Sequence, residues 1–284
     1  MTKTDLPELK RVTINGPTAD LAGLVIGYRE AGPANGIPIV CMHGIGSNSS
    51  GYRAQLAGLS DAFHVFSWDA PGYGVSSQLP WSEPRPESYA DALAGFIDAL
   101  KLDRIIVIGS SFGGVIAAAF AARYPQRVRG AVLSAPAAGL SRQPADKRRA
   151  ALEGRIGDMA KLGPEGVAKA RSVALVAPGS PPEIVAAAER LVASVHPEGY
   201  AQAAHTLDMA DTIAVAPKIP GPTMVVVGEK DIVTPADTCA RPIHARLHNG
   251  RLEVLPGIGH LVKLEAPDTF NKLVRDFANS LPRA

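Results

Sequence analysis

The chain has 284 residues, enough for one large domain or two small ones, and for a core that buries about 75% of the unfolded surface. With 46% hydrophobic and 20% charged residues, and no charge run or low-complexity tract, the composition excludes a disordered chain. A net charge of +2, from 29 basic and 27 acidic residues, gives too weak a field to recruit nucleic acid or an acidic membrane, so a small-molecule partner is expected.

The opening MTKTDLPELKRVTING has no apolar run of signal-peptide length. Nowhere does the chain approach the ~20 apolar residues of a membrane span, and a cytoplasmic location is expected. Short apolar runs predict strands at Leu24 to Glu30, Ile37 to Met42 and His64 to Trp68. A helix is predicted over Glu87 to Leu100, a strand over Arg104 to Gly109, an Ala-rich helix over Phe112 to Tyr124, and a strand over Val128 to Ser134. Between Ala137 and about Asp211 the strand pattern vanishes and Ala, Lys, Arg and Glu dominate. Breaks at Gly163-Pro164, Pro178 to Pro182 and Pro197 divide this insertion into about four helices. Strands resume at Thr223 to Gly228 and Arg251 to Leu255, with helices over Pro235 to Ala245 and Ala266 to Ser280. Strands alternating with helices imply an α/β architecture, a mostly parallel sheet with helices on both faces. The expected division is a core of residues 1–137 and 212–284 carrying a helical cap of residues 138–211.

Two cysteines, Cys41 in an apolar run and Cys239 in a predicted helix, make neither a disulfide framework nor a metal cluster and read as small buried side chains. His244 and His248 are four apart but lack a third ligand, so no metal is expected. The run Lys147, Arg148 and Arg149 reads as a solvated helix face. The insertion between Ala138 and Thr212 holds nine Lys or Arg and nine Asp or Glu, giving no net preference for charge.

Gly109-Ser110-Ser111-Phe112-Gly113 places a G-x-S-x-G between a predicted strand and a predicted helix. A serine hydroxyl is a poor nucleophile, and on such a tight turn it stands clear of the sheet where a base and a substrate can reach it. The helix behind it aims its first N–H groups at the same point, so the backbone N–H of Phe112 is one candidate oxyanion donor. The loop His43-Gly44-Ile45-Gly46, after the early strand, offers a second in the backbone N–H of Ile45. His43 itself is expected to brace that loop. Gly44, Ser110 and Leu261 are assigned to substrate contact.

Such a serine needs a histidine base held by a carboxylate. Asp231 lies in the loop after Thr223 to Gly228, with Glu229 as a rival two residues away. His260 follows Gly257-Ile258-Gly259 after the last strand, and no other histidine sits in a glycine-framed loop after a late strand. Parallel strands bring the loops carrying Ser111, Asp231 and His260 to one side of the sheet.

These blocks, together with Asp69-Ala70-Pro71-Gly72-Tyr73-Gly74-Val75-Ser76 and His260-Leu261-Val262-Lys263-Leu264-Glu265-Ala266-Pro267, resemble the successive motifs of α/β-hydrolases. The resemblance spans nearly the whole chain outside the insertion, and implies an eight-stranded, mostly parallel sheet with the insertion as a cap after the sixth strand. It implies a serine hydrolase without cofactor, and is nearest to 3-oxoadipate enol-lactonases, which cleave a lactone, and to hydrolases that cut a carbon–carbon bond in ring-cleavage products. The latter usually carry a tryptophan after the histidine, where Leu261 stands here. Hydrolysis of a small ester or lactone is the expectation, with carbon–carbon cleavage as the alternative. A ligand-binding receptor on the same fold is the rival from another class, and the sequence leaves a homodimer open.

Overall fold

A computed structural model describes residues 6–282. Eight strands form one sheet: β1 (Lys10–Thr13), β2 (Val25–Ala31), β3 (Ile37–Met42), β4 (Phe63–Trp68), β5 (Ile105–Ser110), β6 (Val128–Ser134), β7 (Thr223–Gly228) and β8 (Gly250–Leu255). Their spatial order is β1-β2-β4-β3-β5-β6-β7-β8. The pairs β1–β2 and β2–β4 are antiparallel, and every later pair is parallel.

Alternate residues of the central strands feed two cores, because successive side chains on a strand point to opposite faces. Val40, Met42, Val107, Leu133 and Val225 join one apolar cluster, while Ile39, Cys41, Ile106, Ile108, Val132 and Val226 join the other. A strand buried on both faces reads as a continuous apolar run, which is why β3, β5 and β7 are so visible in the sequence. Helices α1 (Arg53–Leu59), α2 (Pro86–Ala99) and α3 (Phe112–Arg123) cover the first half of the sheet's connections. Between β6 and β7 the chain leaves the sheet for α4 (Ala145–Arg171), α5 (Pro182–Ala193) and α6 (Pro197–Met209), then returns through α7 (Thr212–Val215). Non-helical backbone at Gly163 breaks α4 into two rods, so the insertion presents four helical rods. After β7 come α8 (Ala240–His244), β8, α9 (Val262–Glu265) and α10 (Pro267–Ser280).

Several elements differ from expectation, among them the four-residue helices α7 and α9, which fall where no helix is predicted. The helix expected over Pro235 to Ala245 is only Ala240–His244. Pro242 has no N–H to donate, and residues before Ala240 form turns in which Thr238 and Cys239 both donate to the Pro235 carbonyl. β1 and α1 were not visible. The first is a four-residue, mostly exposed edge strand and the second is seven residues long with Gly58 inside it, so neither carries a readable period. Cys41 is buried as expected, but Cys239 is only partly buried and borders the cavity described next.

Candidate active site

The register of the sheet aligns its carboxyl ends. Met42 pairs with Gly109, Ser110 with Ser134, and Gly228 with Leu255, so the loops after β3, β5, β7 and β8 leave from one edge. Residues from these loops and from the helical insertion enclose a cavity of about 220 Å³. Ser111 and His260 border it from the sheet side, and Val192, Tyr200 and Leu207 from the insertion. A cavity of ~150 Å³ accepts a benzene ring, so there is room for a small organic acyl group.

Ser111 sits at φ 55° and ψ −113°, a left-handed conformation that a serine adopts at a cost of about 1–3 kcal/mol. The turn is held by Ser111 N–H donating to the Ser134 carbonyl at 2.9 Å, and by Gly114 N–H donating to the Ser111 carbonyl at 2.9 Å. It also needs two glycines. A Cβ on Gly109 would run into the backbone of Gly113, and one on Gly113 into the carbonyls of Met42 and His43. Phe112 opens α3, so its N–H precedes any intrahelical acceptor.

The β3 loop lies against this turn: a Cβ on Gly44 would stand 3.4 Å from Ser111 Cβ and 3.9 Å from its Oγ. His43 is fully buried, with Nδ1 at 2.8 Å from the Gly44 carbonyl and Nε2 accepting from Ala70 N–H at 3.0 Å. Burial pushes its pKa down to about 4, so it is neutral at pH 7, with the Nδ1–H donating. His43 therefore braces the loop, in keeping with the sequence reading. Tyr73 Oη donates to the Ile45 carbonyl at 3.0 Å, and among the described residues the Ile45 N–H has no acceptor.

Asp231 and His260, each 4% exposed, meet with Oδ2 and Nδ1 2.9 Å apart. The other carboxylate oxygen accepts from the N–H groups of Val233 at 2.8 Å and Thr234 at 2.9 Å. Burial alone would raise the Asp231 pKa, but the hydrogen bond and charge of His260 and the donors of Thr234 outweigh it and hold the carboxyl below its usual range. Glu229 is turned away, exposed, and accepts from Gly257 N–H at 3.0 Å. Among the described residues no hydrogen bond joins Ser111 Oγ to His260; the two side chains share the cavity.

Of the expected substrate-contacting residues, Gly44, Ser110 and Leu261 all border the cavity. The Lys147 to Arg149 run does not, and Arg148 instead pairs with Asp208. Three side chains escaped the sequence reading. Thr234 Oγ1 lies 2.8 Å from Asp231 Oδ2, 3.0 Å from the Ala135 carbonyl and 3.1 Å from His260 Nδ1. Its place three residues after an aspartate in a loop is the available signal. Glu265 Oε2 accepts from Ala177 N–H at 2.8 Å, Gly259 N–H at 3.1 Å and Ser180 Oγ at 3.3 Å, tying the insertion to the His260 loop. Lys263 is buried at the cavity wall, where the sequence shows only a charged residue in a short helix.

The sequence profile of the α/β-hydrolase fold matches residues 37–267. The chain belongs to that family. As an α/β-hydrolase it is 29% identical over 270 residues to a 2-hydroxy-6-oxo-2,4-heptadienoate hydrolase of Pseudomonas putida, covering 90% of this chain and 93% of that one. It is 26% identical to 3-oxoadipate enol-lactonase 2 of Acinetobacter baylyi, over 88% of this chain and 92% of that one. Among solved structures, a thermophilic esterase from Thermogutta terrifontis superposes with a TM-score of 0.85 at 26% identity, covering 95% of this chain and 98% of that one. An enol-lactonase from Burkholderia xenovorans gives 0.84 at 25% identity, covering 95% and 100%. Relatives and fold together make this protein a hydrolase. Among the described residues no helix is long and apolar enough to cross a membrane.

Proposed function

We propose that this hydrolase cleaves a small carboxylic ester or lactone through Ser111, His260 and Asp231, by way of an acyl-enzyme. The observation that carries the reading is the buried His260–Asp231 pair, 2.9 Å apart, facing the same cavity as a serine held on a strained turn. Asp231, kept ionised, holds the proton of His260 on Nδ1 and leaves Nε2 free to act as a base. Nε2 takes the Ser111 proton as Oγ attacks the acyl carbon, and the Ser111–His260 contact tightens when substrate fills the cavity. The oxyanion then accepts from the N–H groups of Ile45 and Phe112, each worth about 3 kcal/mol to the transition state. His260 passes its proton to the leaving alkoxide, then removes one from the water that attacks the acyl-enzyme. The carboxylic acid leaves and Ser111 is restored.

In this reading residues 138–211 form a lid over a core of residues 1–137 and 212–284, and exclude water from the reacting atoms. The reaction runs in the cytoplasm on a small molecule and needs no cofactor. Similarity to the 2-hydroxy-6-oxo-2,4-heptadienoate hydrolase supports a second reading, in which the same triad cuts a carbon–carbon bond in a vinylogous diketone. A turnover screen of small esters, lactones and vinylogous diketones, with wild type beside Ser111→Ala, separates the two. Ester or lactone turnover that vanishes in Ser111→Ala is expected. A preference for diketones would replace the first reading by the second, and full activity in Ser111→Ala would overturn both.

A further inference from the structure

An ionised carboxylate offers about four lone-pair positions, and four donors meet that of Asp231. The N–H groups of Val233 and Thr234 reach Oδ1 at 2.8 and 2.9 Å, in the turn that an aspartate forms with the backbone just beyond it. His260 Nδ1 and Thr234 Oγ1 lie 2.9 and 2.8 Å from Oδ2. Oγ1 is also 3.1 Å from Nδ1, so hydroxyl, carboxylate oxygen and ring nitrogen close a triangle.

The Thr234 hydroxyl has a single proton and a choice of acceptors, Asp231 Oδ2 and, at 3.0 Å, the carbonyl of Ala135 just past β6. Two oxygens 2.8 Å apart repel unless a proton lies between them, and the ionised oxygen is the stronger acceptor. Thr234 therefore donates chiefly to Oδ2, with the Ala135 carbonyl as the weaker partner, and turns a lone pair toward Nδ1–H. The Asp231 side chain is wholly buried, so water does not fill a position that a donor vacates.

Other titratable groups stand near but do not take this place. Cys239, Tyr200, Lys263, Arg155 and Arg171 border the shared cavity, and Glu265 binds the Gly259 N–H. Among the described residues none of them hydrogen-bonds to the side chain of Asp231 or His260. Glu229 and Lys230, in the turn just before Asp231, are exposed and pair with each other.

We propose that Thr234 is a positioning residue for the base: its hydroxyl fills the fourth position on Asp231 and holds the imidazole proton on Nδ1, keeping His260 uncharged and able to accept a proton at lower pH than the bare pair would allow. This role rests on the reading of Ser111, His260 and Asp231 as a triad, and adds a fourth side chain to it. With the hydroxyl gone, Oδ2 turns more negative charge on the imidazole and binds its charged form more tightly, which raises the His260 pKa.

Thr234→Val removes the hydroxyl and keeps the shape, while Thr234→Ser keeps the hydroxyl. The assay is kcat/KM for a 4-nitrophenyl ester across about pH 5 to 8, where a histidine base titrates. The acid limb reports the base of the free enzyme; it is expected to move up by about half a unit or more in Thr234→Val, and to stay near wild type in Thr234→Ser. At a pH below both limbs that shift is a fall of about threefold or more. A merely structural hydroxyl would lower the melting temperature and leave the limb in place, which overturns the proposal. A limb that moves down, or equally in both variants, overturns it as well. If Thr234→Val does not fold, Thr234→Ala against Thr234→Ser makes the same comparison, because those two differ by the hydroxyl alone. A second readout needs no turnover: NMR titration of the His260 imidazole in Ser111→Ala, with and without Thr234→Val, the resonance being the one lost in His260→Gln. The same upward shift is expected, and an unmoved resonance overturns the proposal. Full turnover in Ser111→Ala with a shifted resonance would sink the triad reading and keep the role of Thr234; turnover that needs Ser111, with limb and resonance unmoved, would do the reverse.

Discussion

Replacing Asp231 by Asn changes one atom of the site and tests how the base is set. Asn can keep its oxygen toward the N–H groups of Val233 and Thr234, now 2.8 and 2.9 Å from Asp231 Oδ1. Its amide nitrogen then replaces the oxygen that lies 2.9 Å from His260 Nδ1. An N–H facing Nδ1 donates where the carboxylate accepted, so the imidazole proton moves to Nε2, the nitrogen needed as base. Both the tautomer and the charge that stabilises imidazolium are lost. In a serine protease the same change costs about 10⁴ in kcat, and here a fall of about 10³–10⁴ in kcat/KM is expected, roughly 4–5.5 kcal/mol of barrier. The assay is hydrolysis of a 4-nitrophenyl ester at pH 7 to 8, with circular dichroism to show that the fold persists. Activity within tenfold of wild type in a folded variant would refute the role given to Asp231.

Gly113→Ala forces a Cβ onto the carbonyls of Met42 and His43, and should destabilise by about 1–3 kcal/mol. A melting temperature lowered by several degrees is the expected reading, and an unchanged one would contradict the packing argument. Glu265→Ala frees the N–H groups of Ala177 and Gly259, and should lower kcat more than it changes KM by loosening the His260 loop; equal kcat would show that Glu265 serves the fold alone. Lys263 carries a pH signature, since its folded pKa of about 8 lies below the ordinary 10.5. Between those values the unfolded chain binds the extra proton, so this group makes stability rise with pH from about 8 to 10.5, by up to ~3 kcal/mol. Buried Cys41 and Tyr52, whose pKa values are raised, act oppositely at high pH. The difference between wild type and Lys263→Met in denaturant titrations therefore isolates the effect, and a pH-independent difference would remove it.

The sheet was readable because β3, β5 and β7 are buried on both faces and leave nearly continuous apolar runs, whereas β1 is an exposed edge with no such constraint. The meeting of Ser111, Asp231 and His260 at one edge of the sheet was readable because each follows a strand in a loop with turn chemistry, and parallel strands place such loops together. The placement of Thr234, Lys263 and Glu265 was not, because it depends on contacts between distant segments: Thr234 with Ala135, Lys263 with Ser110, Glu265 with Ala177. Charge counting over the insertion also failed to anticipate the cavity, since nine cations and nine anions say nothing about which of them turn inward. Short helices fared worst, because Pro242 and the Asp231 to Thr234 turn limit α8 in ways that periodicity does not register.

The proposed reaction turns on Ser111 as an activated nucleophile. Its most direct test is treatment of the wild-type protein with a fluorophosphonate, followed by peptide mass mapping. One phosphonyl group per chain, on Ser111, is the expected result. No adduct under conditions that label a known serine hydrolase, or an adduct on another residue with Ser111 unmodified, would rule out Ser111 as the nucleophile.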